Sequence, residues 1–117
     1  MKRWMVLLAA ACMIPTAANG QGGATAPLDC KTGPVVKTYG GTPWRVFSCS
    51  DGRSIAVSAA PGSPAAPFIF MFTHDADGYD VTGQGTGKRS ATDAAYRDLQ
   101  KLSRKDIDAL IAETKKR

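Results

Sequence analysis

The sequence predicts an α+β domain: an antiparallel sheet of four to five short strands followed by two C-terminal helices packed on one face. Two observations predict this class. β-rich runs separated by turn clusters of Gly, Pro and Asp occupy the chain up to residue 82, and helical periodicity begins only at Ser90. Strands and helices therefore occur in separate blocks, which is typical of α+β folds with antiparallel sheets.

The first three strands are predicted by composition and by their turns. Residues 35–39 and 44–50 are β-rich, and the turn cluster Gly-Gly-Thr-Pro at 40–43 separates them. The Asp-Gly pair at 51–52 is a strong hairpin signal, because glycine accepts a positive φ without steric cost. Residues 54–59 then alternate between apolar and small polar side chains, which indicates a half-buried strand.

A more hydrophobic pair of strands follows. Three prolines between 61 and 67 predict a loop, and the segment FIFMFT at 68–73 predicts a central strand because both of its faces are apolar. A polar turn at 75–78 leads to a shorter strand at 79–82. We expect this strand to end where glycines begin, at Gly83.

Two helices are predicted after the glycines. Ser90 or Thr92 is expected to cap the first helix, in which apolar side chains recur at i, i+4 and i+7. Ser103 is expected to cap the second helix, with Asp106 completing an arrangement close to a capping box. Because almost no chain joins the helices, we expect a bent pair against the sheet. The helical stripes are Ala95, Leu99 and Leu102, then Ile107, Leu110 and Ile111.

The N-terminal segment 1–20 is interpreted as a secretory signal peptide. The apolar run within it is shorter than the roughly 20 residues that a permanent membrane helix needs. We therefore expect a periplasmic or secreted protein, with a disordered leader at 21–29 and a single domain at 30–117. The signal consists of the basic pair Lys2 and Arg3, the apolar run 4–14, and a cleavage site near Ala18 or Gly20.

Cys12 leaves a second localisation open. Small residues precede Cys12 at the end of the apolar segment, as in lipoproteins whose N-terminal cysteine carries lipid. The Gly/Ala/Thr-rich stretch 16–27 would then act as a flexible tether. A membrane partner is expected only if Cys12 is lipidated.

The charge distribution argues against nucleic-acid binding. The chain carries a formal net charge of +5, and removal of Lys2 and Arg3 lowers it by two, to +3. The terminal residues 115–117 account for that remainder, so the body of the domain is balanced. We interpret the basic tail as a solvated end, and a contact with an acidic partner or membrane surface stays open.

Two cysteines remain in the exported chain, Cys30 and Cys49. An even pair in an oxidising compartment predicts a disulfide. Free thiols or a metal pair are the alternative, although no further cysteine or suitably spaced histidine completes a zinc set.

The only histidine, His74, is the candidate catalytic residue. A small hydrolase using His74 with Asp75 or Asp77 is one hypothesis, but the chain contains no nucleophile motif such as G-x-S-x-G. Asp75, Asp77 and Asp80 also resemble a calcium loop. The EF-hand spacing fails, because Gly78 comes two positions early and the final Glu is missing. We predict a polar hairpin turn and no metal or cofactor.

A glycine-rich stretch before the first helix is a candidate anion site. Gly85, Gly87, Lys88 and Arg89 would place backbone N–H groups and two cations ahead of a helix start, where carboxylates or phosphates bind. The spacing matches neither a P-loop nor a dinucleotide fingerprint. The alternative is a glycine-rich connection with no ligand.

Residues 46–57 resemble the opening hairpin of the periplasmic or membrane-bound c-type lysozyme inhibitors. The sequence VFSCSDGRSIAV shares an aromatic, a disulfide cysteine and an Asp/Gly turn before an alternating strand. The resemblance implies a small exported inhibitor or immunity-type protein. The chain lacks that family's Ser-Gly-x-x-Tyr loop, so no inhibitory residue is carried over.

The leading functional hypothesis is a small exported, non-enzymatic binding or interaction protein. It follows from the lack of a complete catalytic or cofactor pattern in the sequence. The expected partner is a protein or another envelope component.

Overall fold

The five strands pair in chain order, because each strand returns antiparallel beside the one before it. A computed structural model describes residues 28–75 and 78–116, with the backbone only at Asp75. The sheet order is β1-β2-β3-β4-β5. The elements are β1 (Thr32–Tyr39), β2 (Thr42–Ser48), β3 (Ile55–Ala59), β4 (Phe68–Asp75), β5 (Gly78–Gly85), α1 (Arg89–Leu99) and α2 (Arg104–Thr114).

One face of the sheet carries the hydrophobic core. Alternation along each strand and the antiparallel register place Val46, Val57 and Phe70 side by side across β2, β3 and β4. Trp44 is fully buried in the same layer. Both helices bury their apolar stripes against this face, with Leu99 from α1 and Ile107, Leu110 and Ile111 from α2. The predicted α+β architecture, with two helices on one face, is confirmed.

Long-range hydrogen bonds hold the helices over β1 and β2. The hydroxyl of Thr114, near the end of α2, lies 2.7 Å from the hydroxyl of Ser48 and donates to the carbonyl of Ile111. Lys37 of β1 forms a 3.0 Å ion pair with Glu113. The closest backbone approaches of the helices are accordingly to β1 and β2.

The disulfide prediction is confirmed. Cys30 and Cys49 are bonded, with 2.03 Å between their sulfur atoms. Next to this bond, Ser50 donates its amide to the carbonyl of Asp29, and the amide of Asp29 donates to the hydroxyl of Ser50. The predicted signal, its cleavage sites and Cys12 lie outside the described residues, as does the leader before Leu28.

The strand limits differ from the prediction by one to three residues, and the start of α1 differs as well. Three of the differences have a structural cause, at β1, β5 and the start of α1. β1 begins at Thr32, ahead of a register irregularity in the β1–β2 ladder between Thr32 and Val35. β5 continues through Gly83, whose lack of a side chain lets the rings of β4 lie against it. α1 is capped at Lys88, because the carbonyl of Lys88 already accepts from the amide of Thr92.

The second helix begins as the sequence predicts. Ser103 accepts from the amide of Asp106, and the Asp106 carboxylate accepts from the amide of Ser103. This reciprocal pair is a complete capping box. Within the described ranges, no helix is both long and apolar enough to cross a membrane.

Candidate functional site

The helices leave part of the core face uncovered beside β5. An apolar groove of about 230 Å³ lies there between β5 and α1. We call it the β5 groove. It is lined by Phe68, Phe70, Val81, Gly83, Thr92, Asp93 and Tyr96.

The β5 groove continues toward the start of α2. A larger recess of about 480 Å³ shares Val81 and Tyr96 with it and extends to Tyr79, Leu102 and Arg104. Together the two spaces follow most of β5, and from here on the name β5 groove includes both. The smaller space is concave and largely apolar, which is typical of a binding site, whereas polar and apolar groups line the larger recess in similar measure.

An aromatic cluster forms the floor and one wall of the groove. Phe70 packs against Trp44 with ring centroids 5.4 Å apart and against Phe68 at 4.9 Å. Tyr96 of α1 stacks on Phe70 at 5.9 Å with nearly parallel rings. Because Tyr96 is 38% exposed, it extends this cluster from the buried core to the solvent.

Glycine at position 83 keeps the groove open. A Cβ atom there would lie 2.9–3.0 Å from ring carbons of Phe68 and Phe70, closer than side chains pack. Any other residue would push these rings aside or fill the space above them. Gly83 therefore sets both the position of the floor and the free volume over it.

Charged side chains lie at both ends of the groove. Asp93 lines the end beside Gly83, whereas Arg104 and Asp80 both line the end beside Tyr79. The side chains of Asp93 and Arg104 are exposed, and neither is among the ion pairs found within residues 28–75 and 78–116. At the Arg104 end, the Tyr79 hydroxyl donates a 2.7 Å hydrogen bond to the carbonyl of Arg53.

The acid–base properties of Tyr79 fit this half-open setting. Burial raises the pKa of its phenol, and the charge of Asp108 acts in the same direction. Arg104 acts in the opposite direction. Tyr79 therefore remains a neutral hydrogen-bond donor at ordinary pH.

β5 is an edge strand with free main-chain groups. It pairs with β4 alone, and no other backbone hydrogen bond joins its residues to another described segment. The opposite edge, β1, contains Pro34, which has no N–H, and an irregular ladder before Val35. Natural sheets use such features to block pairing at an edge. β5 contains no proline.

The predicted anion-binding residues connect β5 to α1 and pack against the loop before β4. The amides of Thr86 and Gly87 both donate to the carbonyl of Pro67 at 3.0 Å, and the amide of Lys88 donates to that of Pro64. A Cβ atom at Gly87 would overlap the carbonyl of Ala65. These amides are thus used within the fold. Anion binding here stays a prediction that depends on the exposed side chains of Lys88 and Arg89.

His74 lies at the end of β4 and contacts an aromatic ring. Its imidazole meets Tyr79 edge-on, with centroids 5.3 Å apart. The nearby hydroxyl of Ser54 donates to Asp51 at 2.6 Å and accepts from the main-chain amide of His74. Ser54 therefore binds the backbone of His74. Asp77 and the side chain of Asp75 lie outside the described residues.

No metal cluster is found in the described part of the chain. Nowhere in it do three His, Cys, Asp or Glu side chains gather as metal ligands would. Asp80 is exposed on β5 and is among the residues that line the larger recess beside the start of α2.

The opposite face of the sheet carries a second apolar surface. Phe47 and Met71 are partly exposed there, and Ala56 lies between them in the register. Val36 on the same face is 62% exposed. Arg45 stands among these residues, and its Nε atom is buried without a hydrogen-bond partner in the described residues.

Sequence reasoning did not identify the β5 groove. In the sequence, its residues belong to elements that look ordinary, hydrophobic strands and an amphipathic helix. Two residues could have indicated the groove: Tyr96, which lies beside the apolar stripe of α1, and Gly83, which interrupts the last strand of the sheet. No protein-family model, curated protein or solved structure matches the chain.

Proposed function

We propose that this chain is a small exported, non-enzymatic binding protein whose ligand site is the β5 groove. The observation that carries the proposal is the open apolar groove beside an unpaired strand edge. Its floor consists of rings anchored in the core, so the site exists before a ligand arrives. Such preformed sites bind without a large ordering cost.

Export is supported by two features of the chain. The N-terminal segment has the pattern of a signal peptide, and Cys30 and Cys49 are joined. The partner would then be a protein or another component of the cell envelope. Attachment to a membrane surface follows only if Cys12 carries lipid.

A narrower version of the proposal is lysozyme inhibition. The β2–β3 hairpin that resembles the inhibitor family is held by the Cys49 disulfide and by an ordered turn. In that turn, Asp51 accepts hydrogen bonds from the amides of Arg53 and Ser54. The purified protein should then slow the lysis of bacterial cell walls by added c-type lysozyme, and an unchanged rate removes this version.

A titration with an apolar fluorescent dye, anilinonaphthalene sulfonate, tests the groove itself. We expect saturable binding that shifts the backbone amide NMR signals of Val81, Gly83 and Tyr96. Tyr96→Ala removes an aromatic ring against which the dye can stack. A contact of this kind contributes about 1 kcal/mol, so the variant should bind the dye about five-fold more weakly.

The matched control is Val36→Ala, which alters an exposed side chain on the opposite face. It should leave dye affinity unchanged. If the dye shifts only residues such as Phe47 and Met71, or if both variants weaken it equally, the groove is not the binding site.

A further inference from the structure

We propose that the ligand of the β5 groove is an extended peptide segment that adds to the sheet as a sixth strand, antiparallel to β5. This inference rests on the proposed function and names the chemical class of the partner. The peptide would pair its main chain with the free edge of β5. Side chains on one of its faces would enter the groove.

The position of the groove relative to the strand edge supports this occupant. The side chains that line it from β5 lie on one face of the strand, at Tyr79, Val81 and Gly83. In an added strand, residues opposite these positions would have Cβ atoms about 5 Å away and would point to the same face. One such side chain would fill the space above Gly83, between Phe68 and Tyr96.

The length of the site fits a short strand. From Tyr79 to Gly85 β5 spans about 20 Å at roughly 3.4 Å per residue. A peptide of about seven residues would cover this distance and present three or four alternate side chains to the groove. Apolar residues at alternate positions are therefore the expected pattern.

The charges at the groove ends favour one direction. β5 runs from the Arg104 end toward the Asp93 end, so an antiparallel peptide starts beside Asp93 and finishes beside Arg104. A basic residue or free amine at its start, and a carboxylate at its end, would each meet an opposite charge that has no ion-pair partner among the described residues. A parallel peptide would reverse both contacts.

A second copy of this chain is the competing occupant of this edge. Antiparallel pairing of two β5 strands centred on Val81 would place Tyr79 of each copy opposite Gly83 of the other. The occupant inferred here is a separate peptide with apolar side chains at alternate positions, and the dependence of β5 protection on protein concentration distinguishes it from self-pairing.

Synthetic peptides test the proposal on the purified protein. The probes have the pattern Lys-Thr-x-Thr-x-Thr-Glu, where x is Val, Ile, Leu, Phe or Tyr, so that Lys, both x residues and Glu lie on the groove face. Binding is followed by fluorescence anisotropy and amide hydrogen exchange. We expect saturable binding and slowed exchange of alternate amides in β5. Peptides with Lys and Glu exchanged should bind about three-fold more weakly, as expected for two exposed ion pairs.

N-methylation provides a signature of strand addition. Only alternate peptide amides face β5, so methylating one alternate set should abolish binding, and methylating the other set should preserve most of it. Equal effects of the two sets would overturn the proposal. The double variant Asp93→Lys with Arg104→Glu should prefer the charge-exchanged peptides, whereas Lys105→Glu, on an exposed neighbour of Arg104, should not.

The outcomes separate this inference from the proposed function. If the dye binds the groove but no peptide of the panel does, the groove remains a binding site and the peptide inference fails. If neither binds, both fail. If protection of β5 amides depends on protein concentration alone, the edge pairs with a second copy and the peptide inference is overturned.

Discussion

The amide of Gly40 donates a 2.6 Å hydrogen bond to the carboxylate of Asp98, which ties the β1–β2 turn to α1. Gly40 adopts φ 61°, and a Cβ atom there would overlap the backbone of Ala94 and Ala95. The turn and the helix therefore touch main chain to main chain. This contact fixes where α1 lies above the sheet.

Asp98→Ala should lower the free energy of unfolding by about 1–3 kcal/mol, because it removes a charged acceptor and leaves the amide of Gly40 without its partner. Gly40→Ala should cost more, since α1 must move. Urea denaturation measures both. Asp108→Ala, an exposed acid on α2, is the control and should change stability little. Equal losses in Asp98→Ala and the control would contradict the assigned contact.

Thr114 and Ser48 form a buried hydroxyl pair, each exposed by 1% or less. Thr114→Val keeps the shape but leaves Ser48 unpaired, and should cost about 1–3 kcal/mol. Adding Ser48→Ala to it should cost less than the sum of the single changes. A double-mutant cycle by thermal denaturation measures the coupling. Strict additivity would mean that the two hydroxyls do not interact.

Reduction of the Cys30–Cys49 bond should destabilise the domain by about 3 kcal/mol, the value expected for a loop of this length. The denaturation midpoint should therefore fall when a thiol reductant is added. The double variant Cys30→Ser with Cys49→Ser should show no such response. Dye affinity of the reduced, folded protein should be unchanged, because neither Cys30 nor Cys49 is among the residues that line the β5 groove.

Tyr39 links stability to alkaline pH. Burial raises the pKa of its phenol to about 12, and the charges of Glu113 and Asp106 add to the effect. A pKa raised above the ordinary value of 10.0 means that the folded state holds the proton more tightly than the unfolded state. The protonated phenol therefore contributes to the free energy of unfolding. This contribution is complete below pH 10.0 and is lost as the pH rises toward about 12.

Tyr39→Phe should therefore reduce the loss of stability across this window, with little effect at neutral pH. Denaturation curves at several alkaline pH values measure it, and ultraviolet absorbance of tyrosinate follows the ionisation. If Tyr39→Phe and the unaltered protein lose stability in parallel, burial of this phenol is not the cause.

Local patterns were sufficient for most of the fold. Alternation around Val46 and Val57, the stripe through Leu99 and the Ser103 cap all depend on residues near in sequence, so single segments reveal them. The limit of β5 was wrong because a glycine normally weakens a strand. At Gly83 a contact with the rings of Phe68 and Phe70 reverses that tendency.

The candidate site could not be found in the same way. The groove exists because α1 and α2 lie over β1 and β2 and leave β5 uncovered. Their positions are set by contacts between Gly40 and Asp98 and between Ser48 and Thr114, which join residues 58 and 66 apart in the chain. No local pattern encodes such a lateral offset. The disulfide could be predicted from the sequence, because the number of cysteines and the expected compartment indicate it without any knowledge of the geometry.

Both ends of the described chain lie beside β2. Asp29 is bonded to Ser50 beside the end of β2, and Thr114 at the end of α2 is bonded to Ser48 in the same strand. β2 and β5 are separated by three strand spacings, about 14 Å. A sensor surface, fusion partner or affinity tag joined at either end would therefore be attached on the side of the sheet away from β5, and would leave that edge accessible to partners in solution.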